Sequence, residues 1–186
     1  MLSFIQSIQE RDPAHPTFWE VILAYPGFHV LGFHKVASWL WAKDLRALGR
    51  FVAHIGRVLT GIEIHPNATI GKHLFIDHGM GTVIGQTVVI GDNVTLYHNV
   101  TLGGRSSSAN GMKRHPTLED NVMIGSGAVV LGAITIGKNA KIGAGSIVLK
   151  DVPEDAVAIN PAAEIREAKT DECSYGIPAE DNMYVI

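Results

Sequence analysis

The chain has 186 residues, a formal net charge of -3 and a single cysteine, Cys173. That length holds one substantial core and is short for two. The charge argues against nucleic acid or an anionic membrane as main partner, since both reward a basic surface, and one cysteine excludes an internal disulfide. No apolar run approaches the roughly 20 residues of a membrane span. The opening MLSFIQSIQERDP lacks the charged start and long apolar stretch of an export signal. The expected home is therefore a reducing cytoplasm.

Residues 1–61 read as a small α-helical region without a large core of its own. SFIQSIQERDP is a short amphipathic piece, and Pro26-Gly27 separates it from FHVLGFHKVASWLWAKDL, where Phe28, Leu31, Val36, Leu40 and Trp41 recur at three- and four-residue spacings. A further helix, RALGRFVAHIGRVLT, runs to Gly61, which suits the left-handed position past a helix end. His29, His34 and His54 lie in this helical sequence, where packing or surface exposure explains them.

From residue 62 to 163 the period changes to six. Aliphatic side chains recur at Ile64, Ile70 and Ile76, at Ile84, Ile90, Leu96 and Leu102, and at Leu118, Ile124, Val130, Ile136, Ile142 and Val148. Glycine often follows directly. A small or β-branched residue stands four positions after the aliphatic one, as at Ala68, Val88, Val94, Val100, Val122, Ala128, Ala140 and Ser146. Neither a helix nor a simple strand has this period; a chain coiling through short strands and tight turns does. The expectation is a β-solenoid of roughly four to five coils. Residues 164–186 carry mixed charge and no period, and read as a flexible tail with an apolar end.

Stacked repeats gain by staying regular, so breaks in register are where function is expected. One break, between Ile76 and Ile84, holds Asp77, His78, Gly79 and Gly81; the other, GGRSSSANGMKRHPT, is a polar excursion carrying Arg114 and His115. His, carboxylate and Arg on loops held by a rigid prism suit proton abstraction beside an anionic substrate group. A carboxylate behind the imidazole would fix its tautomer. Glu63 lies 15 residues before His78, close to one 18-residue coil, so the two are expected to face each other across adjacent coils. Arginine is suited to gripping a carboxylate in a two-pronged bond.

GIEIHPNATIG, FIDHGMGTVIG, VTLGG, KRHPTLEDNVMIGSGAVVLG and IGAGSIVLKDVP, with RDPA, YPGFH and WLW before them, resemble serine O-acetyltransferase, a member of the hexapeptide-repeat acyltransferase superfamily. The resemblance spans residues 11 to about 163. It implies a left-handed parallel β-helix preceded by the helical region, and transfer of acetyl from acetyl-CoA to the hydroxyl of L-serine, the first step of cysteine biosynthesis. By motif position His78 would be the general base and Glu63 its orienting carboxylate. Asp12 and Asp77 would hold the serine ammonium, and Arg114 and His115 its carboxylate. Gly104, Ser126 and Ala144 would line the CoA arm, although the hexad itself also demands small residues there. No metal is expected.

The resemblance also implies a homotrimer, with a dimer of trimers open because the helical region is shorter than in many members. It further implies capture of the C-terminal Ile186 by O-acetylserine sulfhydrylase. Some positions depart from the family pattern: Gln86 where an acidic residue is frequent, Ser126 where alanine is frequent, and Ile159 to Ala163 where Gly-Val-Pro-Ala-Arg is usual, which removes an Arg expected near a CoA phosphate. Two alternatives stay open at this point. One is the same chemistry on another hydroxyl acceptor, a sugar or homoserine; the other is a zinc carbonic anhydrase of the same fold, for which His73 and His78 are the one close histidine pair within the solenoid.

Overall fold

Four helices precede fourteen short strands in a computed structural model that describes residues 2–105 and 112–163. Cys173, the tail and Ile186 lie outside the described residues. The helices are α1 (Leu2–Arg11), α2 (Phe18–Ala24), α3 (Pro26–Ala42) and α4 (Arg46–Thr60). Helix α2 had no periodic signal, yet its start is written in TFWE: Thr17 Oγ1 accepts the Glu20 N–H, and Glu20 accepts the Thr17 N–H. That reciprocal pair satisfies two N–H groups that a helix start leaves unpartnered. Pro26 marks the break between α2 and α3 by beginning α3, at a position where the missing N–H costs nothing.

The face α3 buries corrects the expectation. Gly27, Val30, His34 and Ala37 are buried, whereas Val36 is 51% exposed. The reason is close approach: a Cβ at Gly27 would strike the Ile76 carbonyl, and α4 brings Gly49 and Gly56 against Ala37 and Phe33. Helix α4 ends where expected, with Gly61 left-handed at φ 72° and its N–H donating to the Arg57 carbonyl at 2.8 Å.

The strands are β1 (Glu63–Ile64), β2 (Thr69–Ile70), β3 (Phe75–Ile76), β4 (Val83–Ile84), β5 (Val89–Ile90), β6 (Thr95–Leu96), β7 (Thr101–Gly103), β8 (Thr117–Leu118), β9 (Met123–Ile124), β10 (Val129–Leu131), β11 (Thr135–Ile136), β12 (Lys141–Ile142), β13 (Ile147–Val148) and β14 (Val157–Ala158). They form three parallel sheets, in the orders β1-β4-β7-β10-β13, β2-β5-β8-β11 and β3-β6-β9-β12-β14. These are the first, second and third faces of a triangular prism, visited in turn by each coil. Twelve of the thirteen hexad aliphatics are buried in its axis, Ile70 being half-buried, and all eight small or β-branched positions are buried with them. Removing such a side chain, as in Ile124→Ala, costs about 2–5 kcal/mol.

Register shows how the two breaks are absorbed. Val83 pairs with Thr101, eighteen residues on, which is the regular coil. Glu63 pairs with Val83, twenty on, and Val89 with Thr117, twenty-eight on. The slip therefore adds two residues at one corner and the excursion ten at another, while the faces stay stacked. Regular corners place one left-handed residue three after the aliphatic, as at Asn93, Asn121 and Asn139. The slip is different: His78, Gly79 and Gly81 are all left-handed, at φ 57°, 75° and 75°. Glycine meets that demand without a Cβ clash, and His78 adopts it as His73 does at an ordinary corner, histidine being one of the side chains more tolerant of it.

Candidate active site

The corner between the third and first faces carries His78. Because Ile76, Leu96, Ile124, Ile142 and Ala158 are aligned across the third face, the residues two further on stack in a column: His78, His98, Ser126, Ala144 and Asn160. Backbone bonds tie the rungs. Gly127 N–H donates to the His98 carbonyl at 3.0 Å, and Gly145 N–H to the Ser126 carbonyl at 2.8 Å. Outside the lower rungs there is open space, since a Cβ at Gly145 would meet nothing within 4 Å. The edge is thus a bare track leading away from His78, which suits an extended acyl-carrier arm.

Acidic groups gather beside this corner. Asp12, buried at the end of α1, accepts the Ala14 N–H on Oδ1 at 2.8 Å and the Tyr25 hydroxyl on Oδ2 at 2.6 Å. Burial first, then the bond to Asp12 and the charges of Asp12 and Asp77, push the Tyr25 phenol well above its ordinary range. Asp12, Tyr25 and Asp77 therefore form one electronegative cluster.

Arg114 and His115 stand on a different corner, between the first and second faces. Two residues after Leu102, Gly104 lies beside the Arg114 backbone. The returning limb of the excursion is strapped to Thr87: its Oγ1 accepts the N–H groups of Arg114 and His115 at 3.1 and 3.2 Å, and Lys113 Nζ donates to the Thr87 carbonyl at 2.8 Å. The His115 ring rests on Gly85. Burial foremost, and then Arg114 and Lys113, lower the His115 pKa. His65 is lowered to about 4, chiefly by burial and then by Arg50, His115 and Arg114. This corner is electropositive, and an adjoining cleft of about 390 Å³ is lined by Arg105, Lys113 and Arg114.

One chain thus brings Asp12, Asp77, His78, Ser126 and Ala144 to one corner and Gly104, Arg114 and His115 to another, with the whole first face between them. Glu63 lies beside the slip, as expected, because Gly81 N–H donates to the Gly61 carbonyl at 2.9 Å and Gly79 packs on Ile62. Its carboxylate, however, accepts from Arg57 Nη1 at 3.1 Å, and no hydrogen bond joins it to His78 among the described residues. His73 and His78 do not pair: His73 stacks on Phe4 at the opposite edge of the third face. Among the described residues no three His, Cys, Asp or Glu side chains converge.

Read from sequence, Tyr25, Thr87 and Gly85 have no site role and His98 is ambiguous. Tyr25 and Thr87 bond to residues 13 and 28 positions away, which periodicity does not display.

The fold and site define a hexapeptide-repeat transferase, and residues 115–150 match the bacterial transferase hexapeptide family of six repeats. The chain is 53% identical over 152 residues to a serine acetyltransferase of Synechococcus elongatus, covering 82% of this chain and 62% of that protein. It is 48% identical to the serine acetyltransferase of Helicobacter pylori strain 26695, covering 86% of this chain and 92% of that one. A crystal structure of serine acetyltransferase from Brucella abortus in complex with coenzyme A superposes with a TM-score of 0.81 at 38% identity, covering 87% and 64%. The chain belongs to the serine acetyltransferase family, and its solenoid is the left-handed parallel β-helix of that family. It spans about three fifths of the Synechococcus relative and nearly all of the Helicobacter one.

Proposed function

We propose that the chain catalyses transfer of acetyl from acetyl-CoA to the hydroxyl of L-serine, giving O-acetyl-L-serine and CoA and so feeding cysteine biosynthesis. The observation that carries this reading is the complementary charge of the two corners. Asp12 and Asp77 beside His78 suit an ammonium group, and Arg114 with His115 suits a carboxylate. Those are the two ends of an amino acid, with its hydroxyl left for the base. A sugar acceptor would have no use for either charge, and homoserine would place its hydroxyl one carbon further from both.

The two corners can serve one substrate only if they come from different chains. We therefore propose a homotrimer in which the third–first corner of one prism meets the first–second corner of its neighbour around a threefold axis. Serine would bridge them, with CoA along the track of Ser126 and Ala144 and beside the neighbour's Gly104. His78 takes the hydroxyl proton as the oxygen attacks the thioester carbon; the C–S bond then breaks and the departing CoA sulfur receives that proton from His78. General-base help of this kind contributes about 10²–10⁴-fold. Glu63 is assigned the orienting role, with Arg57 as its present partner. A cytoplasmic setting fits this chemistry, and no helix among the described residues is long and apolar enough to cross a membrane. Our proposal that Ile186 enters O-acetylserine sulfhydrylase rests on the sequence, that residue lying outside those described.

The test is CoA release from acetyl-CoA with L-serine, homoserine, a galactoside or no acceptor, beside His78→Ala. Serine-dependent release that collapses in the variant is expected. Release with another acceptor alone would overturn the assignment of serine.

A further inference from the structure

We infer that His98 is a further catalytic residue, donating a hydrogen bond from Nε2 to the carbonyl oxygen of the acetyl thioester as negative charge develops there. The inference rests on the acetyl-transfer reading above and assigns a role to a side chain that reading leaves idle.

Two observations lead to it. First, His98 is the rung directly after His78 in the corner column, and the two rings meet edge to face with centroids 5.9 Å apart and planes at 80°. Second, His98 Nδ1 is buried and has no hydrogen-bond partner among the described residues. A proton on that nitrogen would be an orphaned buried donor, which folded proteins avoid more than an under-satisfied acceptor, so the ring proton is assigned to Nε2.

Position then selects the acceptor. The track below is cleared by Ser126 and Ala144, so an acyl-carrier arm lying along it brings its thioester between those small residues and His78, beside His98. As the serine oxygen adds to the carbonyl carbon, the proton passes to His78 and the carbonyl electron pair moves onto oxygen, where the His98 Nε2–H meets it. When the carbonyl reforms, the sulfur leaves with the bonding electrons and recovers the proton from His78. His98 itself neither gains nor loses a proton.

The experiment compares the wild type with His98→Phe and His98→Gln, by steady-state kinetics in serine and acetyl-CoA across pH and by imidazole ¹⁵N–¹H spectra of the wild type. His98→Phe keeps the ring's bulk and is expected to lower kcat by about 10²-fold, as loss of one donor to an oxyanion does, with KM for serine little changed and the pH profile unshifted. His98→Gln restores an N–H donor and should recover much of that loss. Full activity in His98→Phe, a Gln variant as poor as Phe, or spectra placing the proton on Nδ1 would each overturn the inference. A shifted pH profile would do so too, by marking His98 as a support for the His78 ring. Thermal midpoints close to wild type separate these outcomes from misfolding. Wild-type and His78→Ala rates decide the parent reading separately, while the spectra test His98 whatever the acceptor proves to be.

Discussion

Thr87 and His115 are 28 residues apart in the chain and are held together by reciprocal hydrogen bonds: the His115 N–H donates to Thr87 Oγ1 at 3.2 Å, and Oγ1 lies 2.8 Å from His115 Nδ1. Because Oγ1 already accepts two backbone N–H groups, its own proton goes to Nδ1, and the Thr87 N–H points to the same nitrogen at 3.3 Å. The imidazole therefore carries its proton on Nε2 and offers a donor to an anionic substrate group.

Thr87→Val keeps the shape of the side chain and removes the hydroxyl. We expect KM for serine to rise about tenfold, a loss near 1.4 kcal/mol, with KM for acetyl-CoA and the thermal midpoint close to wild type. Steady-state kinetics in each substrate check this. Equal effects on both substrates would count against a role confined to the carboxylate end.

Gly85→Ala places a methyl group into the His115 ring. The ring must move, so serine affinity should fall at least as far as in Thr87→Val while CoA product still binds. Calorimetric titration with serine and with CoA distinguishes the two. Unchanged serine binding would mean that His115 is not positioned by this contact.

The carboxylate of Glu63 shares its only described bond with Arg57, and both side chains are partly exposed, at 36% and 49%. Such a pair contributes no more than about 1 kcal/mol to stability. Arg57→Gln should therefore leave folding and turnover nearly intact, whereas Glu63→Gln should lower kcat at least tenfold if Glu63 orients His78. Equal effects of the two substitutions would assign Glu63 to the ion pair.

His65 titrates near 4 in the fold, below its ordinary value of 6.5, because burial and nearby cations disfavour its charge. The unfolded chain thus binds more protons than the native one between those values, and stability rises with pH across that window. Read downwards, stability is lost as pH falls from about 6.5 to about 4. His65→Gln should flatten the fall of thermal midpoint over this range, leaving the contributions of His34 and His115, which burial also lowers.

Two inactive variants should rescue one another if the site draws on two chains. His78→Ala and Arg114→Ala, unfolded together and refolded at equal amounts, form trimers in which some interfaces carry both intact residues, giving about a quarter of wild-type activity. No recovery would indicate that both residues act within one chain.

The solenoid was open to reading because its core repeats every six residues, and each of those residues does the same job. The slip after Ile76 and the excursion after Leu102 were visible as interruptions of that repeat. Which corner each interruption falls on also follows from counting hexads in threes, the slip coming after the third and the excursion after the seventh, so His78 and Arg114 stand on different corners with the first face between them. Glu63 was expected to face His78 across adjacent coils, whereas its bond to Arg57 required the position of α4. Thr87 was passed over because threonine is ordinary at a solenoid corner, and only the 28-residue register step reveals what it holds.

The column from His78 to Ala144 has a consequence for scale. Adjacent coils are about 4.7–4.9 Å apart, so its three steps mark off roughly 14 Å of a rigid edge. Distance from the base is thereby counted in whole coils, like notches on a gauge. A carrier arm of the wrong length would bring its reactive end to the wrong notch, and no side chain need move to reject it.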